Sequence, residues 1–281
     1  MAEMIDVLIA TYRPDPAMLK AQIDSIRAQR GVEINVIRHE DESGEGACAN
    51  FAALLGESRA DYAAFSDQDD VWLEDKLSRE MEKMRELEAR YGKDTPLLVF
   101  SDAKVVDADL NLLDESLFHR TKIDPRRLLP RQLILQNVAN GNTMLMNAAL
   151  VRKALPIPPE AFMHDHWTML VASVFGRIGF VEGPTVLYRQ HGGNVIGGGR
   201  VDAAYYRHRI GQGRAVLRQR LYADIVQAEA FAVRFGDAAP AAFRAMVGLR
   251  ERPWPCRAAA ICRHGIFKNG FLRNLGTLCL I

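Results

Sequence analysis

Three carboxylates stand within four residues in the segment FSDQDDVW, at positions 65–72. The apolar residues before Asp67, Asp69 and Asp70 predict a buried strand, and ligands of open α/β sheets bind beyond the carboxyl ends of such strands. Helix capping accounts for one or two of these acids but not for three. Three crowded negative charges are costly unless a hard divalent cation neutralises them. We therefore expect Mn²⁺ or Mg²⁺ here, shared with a diphosphate.

A second acidic position, Asp165, lies in the segment MHDHW at 163–167, between a proline-rich loop and an apolar run of helical character. A single carboxylate facing a cleft can act as a general base. Asp also commonly caps the start of a helix. The residues alone leave both interpretations of Asp165 open.

Strands and helices must alternate to place these acids at one edge of a sheet. Apolar, β-branched runs predict strands at 6–10, 32–38, 62–66, 97–100, 141–147 and 178–187. Helical spacing of apolar residues predicts helices after residue 15, at 47–55 and at 72–90. This order predicts an α/β fold with a mostly parallel sheet flanked by helices over residues 1–200, followed by a helical appendage over residues 201–281.

The charge of the 281-residue chain is unevenly distributed. Residues 200–281 contain 14 Lys and Arg against 5 Asp and Glu, whereas the remainder is acidic. Residues 256–281 mix basic and apolar side chains, so this segment is predicted either to contact an anionic membrane or to pack on the domain or in a dimer. No nucleic-acid partner is expected.

Neither a secretory signal nor a bilayer-spanning apolar stretch is recognisable, and the four cysteines are scattered. A cytoplasmic protein is expected, with peripheral contact at the inner face of the cytoplasmic membrane as a further option.

Several segments together resemble the family-2 glycosyltransferases with the GT-A fold, in the form of rhamnosyltransferase-like members that build bacterial surface polysaccharides. They are VLIATY at 7–12, DQDDVW at 67–72, GNTMLMN at 141–147, and HDHW at 164–167 with YRQHGGN at 188–194. The resemblance covers about residues 5–197. It departs from the family after the second strand, where HEDESG at 39–44 makes Asp41 the best match and Glu40 its competitor for contact with the nucleotide base.

The resemblance implies a role for each of these positions. The nucleotide sugar would contact Thr11, Tyr12, Asp41, Asp67 and Arg189, of which Arg189 would pair with phosphate. Asp69 and His191 would bind the metal, and Asp165 would be the catalytic base. The glycines at 192–199 would allow a lid to close over the donor.

The implied activity is an inverting, metal-dependent transfer of a rhamnose-, galactose- or glucose-class sugar. The donor would be a dTDP- or UDP-sugar, and the acceptor a glycan or lipid-linked oligosaccharide of a bacterial surface polysaccharide.

Three other classes of protein were weighed against this interpretation. A nucleotidyltransferase would carry a glycine-rich basic loop after the first strand, and a dinucleotide-dependent oxidoreductase would carry GxGxxG there. The segment TYRPD at 11–15 is neither. A non-catalytic carbohydrate-binding protein stays open if the acids bind no metal. Trp72 and Trp167 are expected in the core rather than as sugar platforms.

Overall fold

The computed structural model describes residues 3–42, 44–191 and 199–281. One eight-stranded sheet is covered by helices on both faces, and a group of helices follows it, which confirms the predicted fold class. The strands are β1 (Met4–Thr11), β2 (Glu33–Glu40), β3 (Tyr62–Ser66), β4 (Val71–Trp72), β5 (Leu97–Val106), β6 (Leu112–Asp114), β7 (Met144–Asn147) and β8 (Arg177–Arg189).

Twelve helices are present among the described residues. They are α1 (Pro16–Arg27), α2 (Ala47–Glu57), α3 (Lys76–Tyr91), α4 (Leu117–Thr121), α5 (Pro130–Leu133), α6 (Ala148–Ala154), α7 (His164–Phe175), α8 (Ala203–Gly211), α9 (Gly213–Phe235), α10 (Ala241–Arg244), α11 (Trp254–His264) and α12 (Phe271–Leu280). No helix in the described part of the chain is long and apolar enough to cross a membrane.

The sheet has the order β2-β1-β3-β7-β5-β8-β4, with β6 paired to β5. Its long ladders, β1 with β2, β1 with β3 and β5 with β8, are parallel, while four short pairings are antiparallel. β4 follows β3 by only four residues, yet it pairs with the last part of β8. Residues 67–70 therefore connect the carboxyl end of β3 to the carboxyl end of β8.

Apolar side chains fill the core on both faces of the sheet. On one face, Ile9 of β1 packs with residues of α1 and α3. On the other, Leu8 shares a cluster with α2, α7 and the helices beyond residue 201. Trp167 of α7, for example, lies edge to face with Phe231 of α9, with ring centroids 5.6 Å apart. The C-terminal helices thus share a hydrophobic core with the α/β body.

Several predicted boundaries differ from the structure, among them the strand predicted over 97–100, which extends to Val106, and in two places the kind of element changes. The helix predicted from residue 72 begins at Lys76, because Val71 and Trp72 form β4 against β8. The strand predicted over 141–147 begins with a 3₁₀ turn, Gly141–Thr143, and only Met144–Asn147 is extended. Trp72 and Trp167 are both buried in the core, as predicted.

Gly176 lies at the junction between α7 and β8, two elements that carry candidate site residues. A Cβ atom at this position would stand 1.7 Å from the carbonyl oxygen of Pro96, which is backbone and cannot rotate away. Only glycine permits this close approach.

We predict that Gly176→Ala lowers the free energy of unfolding by about 2 kcal/mol or more, since overpacking forces the backbone to shift. Gly56→Ala in α2 is the matched control, because a Cβ there meets nothing within 4 Å; it should be neutral or stabilise by about 0.5–1 kcal/mol. Urea unfolding monitored by circular dichroism measures both. Equal stability of the two variants would contradict the close approach at Gly176.

Candidate active site

Asp70 is the buried member of the acidic segment, and it joins three parts of the chain. Its Oδ1 accepts a hydrogen bond of 2.8 Å from the backbone N–H of Arg189 at the end of β8. Its Oδ2 accepts from the side-chain amide of Asn142 in the 3₁₀ turn. Because both partners are buried donors, Asp70 fixes the positions of β8 and the turn relative to residues 67–70.

Asp69 lies beside His191, and its carboxylate Oδ2 is 2.7 Å from His191 Nε2. Both side chains are partly exposed. The backbone carbonyl of Asp69 accepts a 2.7 Å hydrogen bond from Arg189 Nε, and Arg189 Nη1 donates to the carbonyl of Ala108. Arg189 is buried, so the guanidinium predicted to bind phosphate also holds the backbone of the acidic segment.

The donor set suits a divalent cation that is shared with a substrate. Asp69 and His191 supply a carboxylate oxygen and an imidazole nitrogen at one point, which Mn²⁺ accepts. No group of three or more His, Cys, Asp and Glu side chains able to hold a metal occurs in the described ranges. Mg²⁺ typically takes one or two carboxylates and completes its shell with phosphate oxygens and water. Two protein ligands are therefore compatible with a bound diphosphate.

Burial and neighbouring carboxylates raise the pKa values of Asp67 and Asp70. Burial is the main cause for Asp67, whose pKa lies well above its ordinary value, and the charges of Asp70, Asp69 and Asp165 raise it further. The pKa of Asp70 is also raised by burial and by Asp69, although its bonds from Arg189 and Asn142 oppose the shift. This arrangement of negative charge favours a cation beside the acidic segment.

Asp165 lies in the first turn of α7, close enough to the acidic segment for its charge to raise the pKa of Asp67. Its Oδ2 accepts a 3.2 Å hydrogen bond from the backbone N–H of Gly141, and its Oδ1 accepts from the N–H of His166 at 2.6 Å. The N-cap residue of α7 is Met163, so Asp165 does not occupy the capping position. Burial raises its pKa to about 6, in spite of these bonds and one from Asn137.

The turn Gly141–Thr143 links the two acidic groups, since Gly141 binds Asp165 and Asn142 binds Asp70. A Cβ at Gly141 would stand 3.0 Å from His164 Nε2 and 3.4 Å from the Cβ of Asp165. Glycine at this position lets the turn approach α7 closely.

The histidines beside Asp165 are buried rather than exposed. His166 Nε2 lies 2.6 Å from the carbonyl of Leu133, and burial lowers the pKa of His166 to about 4. The ring of His164 stacks on Phe51, with centroids 3.9 Å apart, and neither ring nitrogen has a hydrogen-bond partner among the described residues. Burial lowers the pKa of His164 to about 3, so both rings are neutral near pH 7.

Three of the residues predicted to contact the nucleotide sugar, Thr11, Tyr12 and Asp41, lie at the carboxyl ends of β1 and β2. Thr11 is buried and donates its hydroxyl hydrogen to the carbonyl of His39 at 3.0 Å, while Tyr12 is half exposed. The carboxylate of Asp41 accepts from three backbone N–H groups between residues 44 and 46, and it thereby closes its own loop. Glu40 is exposed at the end of β2. The assignment of Thr11, Tyr12 and Asp41 to the nucleotide stays a prediction.

Sequence reasoning missed two residues that position this site. Gln68 clamps the backbone of Tyr12, since its Oε1 accepts from the N–H at 2.8 Å and its Nε2 donates to the carbonyl at 3.3 Å. Asn142 lies in the segment GNTMLMN, and the sequence did not predict that it binds Asp70. For Asn142 the available signal was an amide beside an apolar run, because buried amides need partners, whereas Gln68 lies between two acids and offered no such signal. Residues 192–198, which hold most of the proposed lid, lie outside the described residues.

No protein-family model matches this sequence, and no curated protein matches it. Among solved structures, Staphylococcus aureus TarS is similar. One TarS structure aligns with 92% of this chain and 48% of its own chain, at 15% identity and a TM-score of 0.50. Another, of TarS 1–349 in complex with UDP-GlcNAc, aligns with 92% and 80%, at 13% identity and a TM-score of 0.48.

The chain spans about half the length of the first of these structures. TarS has a GT-A-like glycosyltransferase fold, and at this identity the likeness shows the fold alone. The chain therefore has a GT-A-like fold, while the rhamnosyltransferase-like subgroup stays a prediction.

We predict that Asp70→Ala lowers the free energy of unfolding by about 2 kcal/mol, because the N–H of Arg189 and the amide of Asn142 lose their buried acceptor. Asp94→Ala removes an exposed carboxylate and should change stability by less than about 0.5 kcal/mol. Thermal and urea unfolding of the two variants test the difference. An Asp70→Ala protein as stable as the Asp94→Ala protein would show that this junction does not hold the site together.

Proposed function

We propose that this chain is an inverting, divalent-metal-dependent glycosyltransferase that uses a nucleotide-sugar donor. One observation carries the proposal: a pair of metal-type ligands, Asp69 and His191, lies in contact, and a separate carboxylate of raised pKa, Asp165, is joined to the same acidic segment through the turn Gly141–Thr143. The GT-A-like fold supports it.

The donor would lie against the acidic segment, with its nucleotide toward Thr11, Tyr12 and Asp41. Asp69 and His191 would hold a divalent cation, which supplies charge neutralisation for the departing nucleotide diphosphate. Asp67 would orient the ribose or the base. Arg189 keeps the backbone of Asp69 in place, and the predicted contact of its guanidinium with phosphate would add to this role.

Asp165 would accept the proton of the acceptor hydroxyl. As that proton moves to a carboxylate oxygen, the hydroxyl oxygen bonds to the anomeric carbon. The bond from that carbon to the diphosphate oxygen breaks on the opposite face as the new bond forms, and the electron pair leaves with the nucleotide diphosphate, so the configuration inverts. One base suffices for this reaction. The bonds from Gly141 and His166 hold the Asp165 carboxylate in a single orientation during the transfer.

The donor class we propose is a dTDP- or UDP-linked rhamnose, galactose or glucose, and the acceptor class is a glycan or lipid-linked oligosaccharide of a bacterial surface polysaccharide. Small differences in pocket contacts decide between such sugars. A donor panel is therefore the direct test, and it should include UDP-GlcNAc, the ligand in one of the TarS structures.

With this panel we expect release of nucleotide diphosphate from one donor in the presence of Mn²⁺ or Mg²⁺ and none with chelator. Asp69→Asn and His191→Ala should lower kcat/KM by roughly 100-fold or more, because each removes a ligand of the cation. Asp61→Asn is the matched control, since Asp61 is exposed at the opposite end of β3. Metal-independent sugar binding without turnover would instead favour the non-catalytic carbohydrate-binding alternative.

The pH dependence of the reaction tests the assignment of Asp165. A base must be ionised, so its activity is lost as the pH falls through its pKa. With the pKa of Asp165 raised to about 6, kcat/KM should level off above about pH 7 and fall about tenfold for each pH unit below 6.

Asp165→Asn should lower kcat by about 10²- to 10⁴-fold while donor affinity, measured by calorimetry, stays within about twofold. Glu160→Gln, an exposed carboxylate five residues earlier, should leave both unchanged. Full activity of Asp165→Asn would exclude it as the base.

A further inference from the structure

Helix α12 presents its apolar side to solvent. Phe271 is 79% exposed, Leu272 54% and Leu275 50%. These positions, with the exposed Cys279, lie at i, i+1, i+4 and i+8, which places them along one side of the helix. A helix that packs normally on a core buries such a stripe.

The inner side of α12 packs Leu278 and Leu280 on the core and adds polar contacts that fix the orientation of the helix. The guanidinium of Arg273 donates to the carbonyls of Thr121 and Lys122 at 2.6 and 3.2 Å. The amide of Asn274 binds both the N–H and the carbonyl of Lys268, at 2.7 and 2.9 Å. Because these contacts hold this side inward, the exposed stripe is held outward.

Trp254 adjoins the exposed stripe at its far end. Its ring is 51% exposed, and its indole N–H donates to the carbonyl of Leu278 in α12 at 2.9 Å. A tryptophan with its polar atom satisfied and its ring exposed is typical of the boundary between water and a bilayer.

The C-terminal segment that contains this stripe carries positively charged side chains and no acidic ones. Residues 252–281 contain five Lys and Arg and no Asp or Glu. Of these five, Lys268 alone forms an ion pair with a carboxylate in the described part of the chain, Asp224 at 3.5 Å. Arg214 of α9 adds a further cation at the end of α12, where it donates to the carbonyl of Cys279 at 3.2 Å.

We propose that the exposed side of α12, together with Trp254, docks on an anionic lipid bilayer. Exposed apolar side chains in a positively charged segment match acyl chains beneath negatively charged headgroups. The ten residues of α12 make a helix about 15 Å long, which suits a helix lying in the plane of the interface. Four partly exposed side chains offer only a fraction of the roughly 800 Å² per partner that stable protein interfaces bury, so a second copy of the chain fits less well.

The docking face is joined to the segment that carries the candidate base. Asn269, just before α12, donates its N–H to Gln136 at 2.7 Å and accepts from the N–H of Asp124 at 3.1 Å. Asn137, the residue after Gln136, forms a side-chain hydrogen bond with the carboxylate of Asp165. If the proposed function holds, a protein docked through α12 keeps its base at a set distance from the membrane, as a lipid-linked acceptor requires.

Tryptophan fluorescence of the full chain tests the docking directly, because Trp72 and Trp167 are buried and Trp254 alone of the three is exposed. Vesicles of three parts phosphatidylcholine to one part phosphatidylglycerol should shift the emission to shorter wavelength, and brominated acyl chains should quench it. The apparent affinity should be at least about tenfold weaker for pure phosphatidylcholine and should fall as salt is added. Trp254→Phe should abolish the signal.

The triple variant Phe271→Ser, Leu272→Ser, Leu275→Ser should lose vesicle binding at least about tenfold. Its matched control is Leu112→Ser, Leu113→Ser, Val233→Ser, which removes three comparably exposed apolar side chains elsewhere and should bind as the unaltered chain does. Donor turnover without an acceptor should be equal in all three proteins, so a failure of docking and a failure of the proposed function give different results.

Three outcomes would overturn the proposal. They are no binding of the unaltered chain to anionic vesicles, equal binding by the triple variant, and a dimer in solution that the triple variant abolishes while vesicle binding is absent. The last outcome would assign the face to a second copy of the chain. If the triple variant does not fold, quenching of Trp254 in the unaltered chain decides the matter alone.

Discussion

A single buried carboxylate, that of Asp70, holds the candidate site together. It receives one hydrogen bond from the end of β8 and one from the turn Gly141–Thr143, and it stands in the four residues that link β3 to β4. A buried charge without partners is expensive, so each of these donors is also constrained by the acid. The segments that carry His191 and Asp165 are positioned through this junction.

Several carboxylates lie close together in the candidate site, and this limits which ligands it can bind. Burial and neighbouring carboxylates raise the pKa values of Asp67 and Asp70, and Asp165 contributes to the shift at Asp67. Arg189 offsets part of that charge, but its guanidinium lies against the carbonyls of Asp69 and Ala108. A divalent cation with a diphosphate satisfies such a site better than a neutral ligand, and the separate environment of Asp165 suits a different task, acceptance of a proton.

The C-terminal helices include both a helix buried in the core, α9, and a helix with an exposed apolar side, α12. The buried side of α9 belongs to the same core as α7, so these helices stabilise the α/β body. α12 is held by polar contacts and by Leu278 and Leu280 against this core, and it leaves Phe271, Leu272 and Leu275 exposed. From the sequence, packing on the domain and contact with a membrane are alternatives for the basic segment. In the structure, core packing and an exposed apolar surface coexist, because they lie on different helices and different helix faces.

The sequence by itself determined the fold class, the strand β3 and the position of the acids after it. Hydrophobic periodicity is local, and carboxylates that follow a buried strand must lie at its carboxyl end. It did not determine that Val71 and Trp72 pair with β8, that Gln68 holds Tyr12, or that Gly141 and Asn142 bind Asp165 and Asp70. These contacts join residues between 24 and about 120 positions apart. No local pattern encodes such partners; only the packing of the sheet brings them within hydrogen-bond distance.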